Sequence, residues 1–159
     1  MAGVAQMKAR MKVFADGLLR FQPKLGVFAL LAIFGAPQAA DDGPRRAALA
    51  AREMFERLAE LNRELAGEGR SELRIGIGLA AGEAIAGNVG TASRHGYSAI
   101  GDAVNVAARL QSLCKPLQMR VIASEAFWRT CADVLPFVSL GPLELAGHAP
   151  VHAYGVPAA

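Results

Sequence analysis

Residues Tyr97–Leu113, YSAIGDAVNVAARLQSL, decide how this chain is read. Behind Gly101-Asp102 the apolar positions Ala103, Val106, Ala107, Leu110, Leu113 and Cys114 recur at i, i+3, i+4 and i+7, which predicts a helix with one packed stripe. Asn105 and Arg109 stand four residues apart, so they share a face of that helix, turned away from the stripe, and Ser112 joins them. Asp102 is placed to cap the first turn, its carboxylate accepting amides that have no partner inside the helix. A solvated helix face beside a cap would account for these residues without any chemistry. The flanking segments point further.

The chain has 159 residues, enough for one domain with a buried core. With 53% hydrophobic and 19% charged residues it is globular in composition. The net charge of +3 comes from scattered Lys and Arg, which gives weak support for an acidic ligand and none for a nucleic-acid-binding stripe. Cys114 and Cys131 match no metal-ligand spacing and no disulfide framework, which favours a reducing compartment.

Upstream of the central stretch, Leu73–Ala80, LRIGIGLA, alternates with period two: Leu73, Ile75, Ile77 and Leu79 on one face, Arg74, Gly76, Gly78 and Ala80 on the other. It reads as a strand whose two glycines mark close approach of a backbone, a partner or a ligand. Ala81-Gly82-Glu83 is expected to turn it into a second strand, Ala84–Val89, as a hairpin, with a short strand near Tyr97–Ala99 after a polar loop. Before these, Asp41 or Asp42 opens a long helix with Pro44 in its first turn. Its core face is Ala47, Ala51, Met54, Phe55, Leu58, Leu61 and Leu65, and Gly67 or Gly69 ends it. Earlier still, Leu25–Ala36, LGVFALLAIFGA, is too short to span a bilayer. It has the outline of a secretory leader, but it starts late and Asp16 interrupts the basic stretch before it. A buried strand ending at the Gly35-Ala36-Pro37 turn is the better reading. Residues 1–20 form a basic, loosely amphipathic segment.

Downstream, Met119–Ala123 reads as a strand, Ser124–Cys131 as a short helix capped by Ser124, and Phe137–Leu145 with Val151–Val156 as a closing antiparallel pair. This order predicts an α+β domain, with helices on a mostly antiparallel sheet.

Taken together, LAIFGAP (Leu31–Pro37), LRIGIGLAAGEAIAGNVG (Leu73–Gly90), YSAIGDAVNVAARL (Tyr97–Leu110), VIASEA (Val121–Ala126) and LGPLELAGHAPVHAYGV (Leu140–Val156) resemble the class III adenylate/guanylate cyclase catalytic domain, in family order over most of the chain. The resemblance implies a ferredoxin-like α+β domain at 21–156, incomplete at its start and without its first strand, with 1–20 outside it. It implies conversion of ATP to 3′,5′-cyclic AMP and pyrophosphate in intracellular signalling, at a site between two domains in the cytoplasm. There the ribose 3′-oxygen attacks the α-phosphorus, and the protein contributes positioning and electrostatic stabilisation. By the same resemblance Asn105 positions the ribose, Arg109 stabilises the transition-state phosphate with its planar fork of donors, and Lys24 and Ser98 select the base. Family members use Mg or Mn held by two aspartates.

The departures are as informative. Where the family carries Gly-Asp-Gly this chain has Val27, Phe28 and Ala29, so Phe28 stands at a metal aspartate's position, and Asp16 is the only acid near the other. The basic phosphate position near the last hairpin is met by Ala146 and His148, the latter reading more simply as a turn histidine. The expectation is a chain that supplies the Asn/Arg half of a dimeric site. It would act as a homodimer, or as a heterodimer with a metal-competent cyclase domain, with no metal ligands, nucleic acid or membrane segment of its own. The alternative is an inactive cyclase-homology module for dimerisation or nucleotide sensing, or a truncated gene product. An RNA-binding module of similar layout would need aromatic side chains on a sheet face, and the strand regions carry few.

Overall fold

Two glycines set the spacing of the fold. In β1 (Ile77–Leu79) a Cβ on Gly78 would stand 1.9 Å from the Ala107 carbonyl oxygen, and one on Gly76, just before the strand, 2.6 Å from Cys114 Cβ. Both contacts belong to α2 (Asp102–Leu113) and the turn after it, so the helix lies against the strand at backbone distance. Of the three causes the glycines allowed, the approaching group is a backbone. The computed structural model describes residues 30–35, 42–91 and 94–158, with 86–91 and 94–98 by backbone alone.

The chain divides into two compact units, Met1–Ala32 and Ile33–Ala159. Of the first, only 30–32 are described, without regular secondary structure and with Leu30 and Leu31 66% and 49% exposed. The second carries α1 (Gly43–Gly67), β1, β2 (Ile85–Thr91), β3 (Arg94–Ile100), α2, β4 (Met119–Ser124), α3 (Glu125–Cys131), β5 (Val138–Leu143) and β6 (Val151–Pro157). Four strands form one sheet in the order β1-β4-β6-β5, and β2 pairs with β3 in a separate hairpin. β1 runs parallel to β4, matching Ile77 to Val121 and Leu79 to Ala123, and the pairs β4–β6 and β5–β6 are antiparallel. This is the predicted α+β, mostly antiparallel class.

Alternation along β4 divides the core. Val121 and Ala123 point to a cluster with Ala47, Ala48 and Ala51 of α1 and Phe127 and Cys131 of α3. Ile122 points to the other face, where Val106 and Leu110 of α2, Cys114, Leu145 and Ala153 meet it. Helices thus cover both faces, α1 and α3 on one and α2 on the other.

Several expected elements are corrected. The strand expected over Leu25–Ala36 is not formed in its described part: 30–33 have no regular structure, and an apolar run becomes a strand only where ladder partners stand beside it. Leu73–Ala80 keeps only Ile77–Leu79 as strand, and at Leu73 it is Asn62 of α1 that takes the place of a ladder partner. Its side-chain oxygen accepts the Leu73 amide at 2.8 Å and its nitrogen donates to the Leu73 carbonyl at 2.9 Å. The expected hairpin through Ala81-Gly82-Glu83 does not form either. β2 pairs with β3, from Ile85↔Ile100 to Thr91↔Arg94, and β1 joins β4 through the crossover that α2 completes.

Helix ends follow their chemistry in part. Asp42 precedes α1 without a side-chain cap and instead lies 3.7 Å from Arg46. At the other end Gly69, at φ +69°, lets the Arg70 amide return to the Leu65 carbonyl at 2.9 Å, which closes the last turn. Ser124 caps α3 as expected, accepting the Phe127 amide at 3.4 Å.

Candidate functional site

The periodicity predicted over 103–114 places the inner side of α2 correctly, since Val106 and Leu110 are buried. The opposite side carries Asn105, exposed, and Arg109, half-buried, four residues apart and on one face. Ser112 lies one turn further, its hydroxyl donating to the Arg109 carbonyl at 2.7 Å. Arg109 Nη1 is buried and has no hydrogen-bond partner among the described residues. A buried guanidinium nitrogen of this kind is unsatisfied until an anion or a carbonyl reaches it.

The helix start differs from the sequence reading. Gly101 is the N-cap, in extended backbone, and its carbonyl accepts the Val104 and Asn105 amides at 3.2 and 3.3 Å. Asp102 is the first helical residue and caps nothing with its side chain. Its carboxylate instead accepts a hydrogen bond from His148 Nε2 at 2.5 Å. A carboxylate can only accept, so Nε2 is the protonated nitrogen. His148 occupies the turn between β5 and β6, with its amide bonded to the Leu145 carbonyl at 2.9 Å. The histidine lies in a turn, as expected, and its partner 46 residues away was not visible in the sequence.

A pocket of about 390 Å³ opens where the starts of α2 and α3 meet the β5–β6 turn, with Glu83, Asp102, Ser124, Glu125, His148 and His152 as its polar lining. Sequence reading did not single out Glu83, Glu125 or His152 as a group, because they come from a loop, the first turn of α3 and β6. Asn105 and Arg109 are not among the residues that line this pocket. Of the remaining candidates, Ser98 lies in β3 opposite Gly87, described by backbone alone. Lys24 lies outside the described residues, as do Asp16 and Phe28. Among the described residues no three His, Cys, Asp or Glu side chains are placed to hold a metal ion. Both cysteines are free and buried, and burial pushes the Cys114 thiol up to about 11, so neither has the character of a nucleophile. No helix among the described residues is long and apolar enough to cross a membrane.

A helix-flanked, mostly antiparallel α+β sheet with an Asn/Arg pair on one open helix face defines a class, and comparison with known proteins gives its family. The model of the adenylate and guanylate cyclase catalytic domain matches residues 29–157, and the chain belongs to that family. Among solved structures it is similar to the adenylyl cyclase CyaB from P. aeruginosa, at TM-score 0.68 and 25% identity over 79% of this chain and 65% of that one. The guanylyl cyclase Cya2 gives TM-score 0.66 and 28% identity over 79% and 63%. Adenylate cyclase 1 of Rhizobium meliloti (strain 1021) is 34% identical over 75% of this chain and 18% of its own length. An uncharacterized protein of Mycobacterium tuberculosis (strain ATCC 25618 / H37Rv) is 45% identical over 60% of this chain and 16% of its own. The chain thus spans less than a fifth of these two curated relatives.

Proposed function

We propose that this chain is an adenylate-cyclase-type domain that contributes the Asn105/Arg109 half of a dimeric site, forming 3′,5′-cyclic AMP and pyrophosphate from ATP beside a partner that supplies the metal ligands. The observation that carries this reading is the buried Nη1 of Arg109, without a hydrogen-bond partner among the described residues and four residues from Asn105 on one face of α2. In the reaction the ribose 3′-oxygen attacks the α-phosphorus and the bond to the pyrophosphate oxygen breaks. Negative charge accumulates on the phosphate oxygens as this happens. A fixed guanidinium beside those oxygens stabilises the transition state more than the ground state, which is the condition for raising the rate. Asn105, with a donor and an acceptor on one amide, holds the ribose in line for attack.

Lys24 and Ser98 select the base in this proposal, Ser98 through a hydroxyl able to donate or accept towards the adenine edge. Mg or Mn, bound by the partner's carboxylates, would activate the attacking oxygen and neutralise the triphosphate. Support for adenine over guanine comes from the Lys24/Ser98 pair and from the likeness to an adenylate cyclase of Rhizobium meliloti.

The test mixes the purified chain with a metal-competent cyclase domain whose own Asn and Arg have been replaced, in the presence of Mn and ATP. Cyclic AMP above the level of either protein alone is the expected result, and its absence at saturating partner would sink the reading. Replacing ATP by GTP in the same mixture tests the base preference, with cyclic GMP expected to form more slowly.

A further inference from the structure

The turn between β5 and β6 grips α2 at two points on either side of Arg109. At its near end Leu145 is buried at 4% exposure, in the same cluster as Val106 and Leu110. At its far end His148 Nε2 donates to Asp102. Between them Gly147 holds φ +71°, and a Cβ built on it would lie 3.8 Å from Arg109 Nη2. The turn backbone therefore runs alongside the guanidinium at contact distance. Asp102, Asn105 and Arg109 fall at i, i+3 and i+7, so the residue His148 holds lies on the same face as the proposed site pair.

Resting on the half-site role proposed for Arg109, we infer that His148 is a positioning residue: through Asp102 it clamps the 145–148 turn against α2 and so fixes the direction of the Arg109 guanidinium. Arg109 Nη1 has no hydrogen bond within the described residues to orient it, so packing against this turn must do so. A long side chain with free torsions would otherwise spread over several rotamers, and ordering them at the moment of reaction would raise the barrier. The clamp has one apolar jaw, Leu145, and one polar jaw, His148. Only the polar jaw can be removed without opening the core, because Asp102 is 71% exposed and His148 24% exposed at the side chain.

The test reads Arg109 directly. The full chain is treated with phenylglyoxal, which modifies accessible guanidinium groups, and the extent at each arginine is followed by mass spectrometry. His148→Ala and Asp102→Ala are expected to speed modification of Arg109 several-fold with Arg45 and Arg129 unchanged, and His148→Gln, which keeps a donor, to stay near the wild-type rate. Unchanged reactivity of Arg109 in both alanine variants overturns the proposal, as does a Gln variant as reactive as the Ala one. If His148→Ala loosens the whole fold, seen as a parallel rise at Arg45 and Arg129, Asp102→Ala alone decides. In the two-domain assay His148→Ala is expected to lower kcat by roughly tenfold with KM unchanged, the scale of a lost hydrogen bond that orients a reacting group. An unchanged kcat with a more reactive Arg109 overturns the positioning role. A wild-type chain that yields no cyclic AMP counts instead against the half-site reading, and the phenylglyoxal result still decides whether His148 holds Arg109.

Discussion

On its inner side α2 approaches β1 so closely that a single methyl group on Gly78 would overlap the Ala107 carbonyl, whereas on its outer side it leaves a buried arginine nitrogen with no partner among the described residues. The inner side is completed by this chain: Val106, Leu110 and Cys114 bury themselves against Ile122 and Ala153, and β1 offers glycine where a side chain would collide. The outer side carries Asn105, Arg109 and Ser112, and the β5–β6 turn reaches it at Asp102 and Arg109. A helix built for stability alone would satisfy its guanidinium with a carboxylate of its own, as Arg45 does with Asp133 in a two-pronged contact at 2.9 Å. The difference separates a side that packing completes from one whose guanidinium keeps a nitrogen without a partner among the described residues.

Opposite substitutions on the two sides should break this contrast most sharply. Leu110→Ala, at a fully buried position, is expected to cost about 2–5 kcal/mol by urea denaturation. Arg109→Ala should leave the urea midpoint nearly unchanged and lower cyclic AMP formation in the two-domain assay by about 10²–10³-fold. A comparable stability loss from both would show that Arg109 serves the core and not a ligand. Next in size, Gly78→Ala should destabilise by about 1–3 kcal/mol or more, because a backbone oxygen cannot move aside without shifting the helix. Near-native stability would mean that α2 can lift off β1.

The inner side also carries a pH signature. A buried Cys114 thiol at about 11 binds its proton more tightly than an unfolded thiol near 8.5–9, so this group's contribution to stability is fully present below about pH 8.5 and is lost as pH rises towards 11. Urea midpoints at pH 7 and pH 10 should fall further for the wild-type chain than for Cys114→Ala, and equal falls would contradict the burial. Smallest of all, Ser112→Ala removes one exposed bond to the Arg109 carbonyl and should change stability by no more than about 0.5 kcal/mol, with activity intact.

Local periodicity made much of this legible beforehand. The stripe through Val106 and Leu110, the Ser124 cap, the β5–β6 pair and the Asn105/Arg109 face all depend on residues within a few positions of one another. The errors share another cause. Asn62 holding Leu73, β2 choosing β3 over β1, and Asp102 turning from its own helix to His148 are each settled by a residue brought close only when the chain has folded. An aspartate after a glycine looks the same to local rules whether it caps amides or receives an imidazole 46 residues on.

The sequence by itself therefore determined the α+β class, the family and the shared helix face of Asn105 and Arg109, because these are written in spacing and in motif. Only the tertiary structure decided that Gly76 and Gly78 admit a helix backbone, that Arg109 keeps a buried nitrogen unpaired among the described residues, and that the turn carrying His148 lies beside it. Those three facts are distances between segments far apart in the chain. Such distances are fixed by packing, which no local pattern encodes.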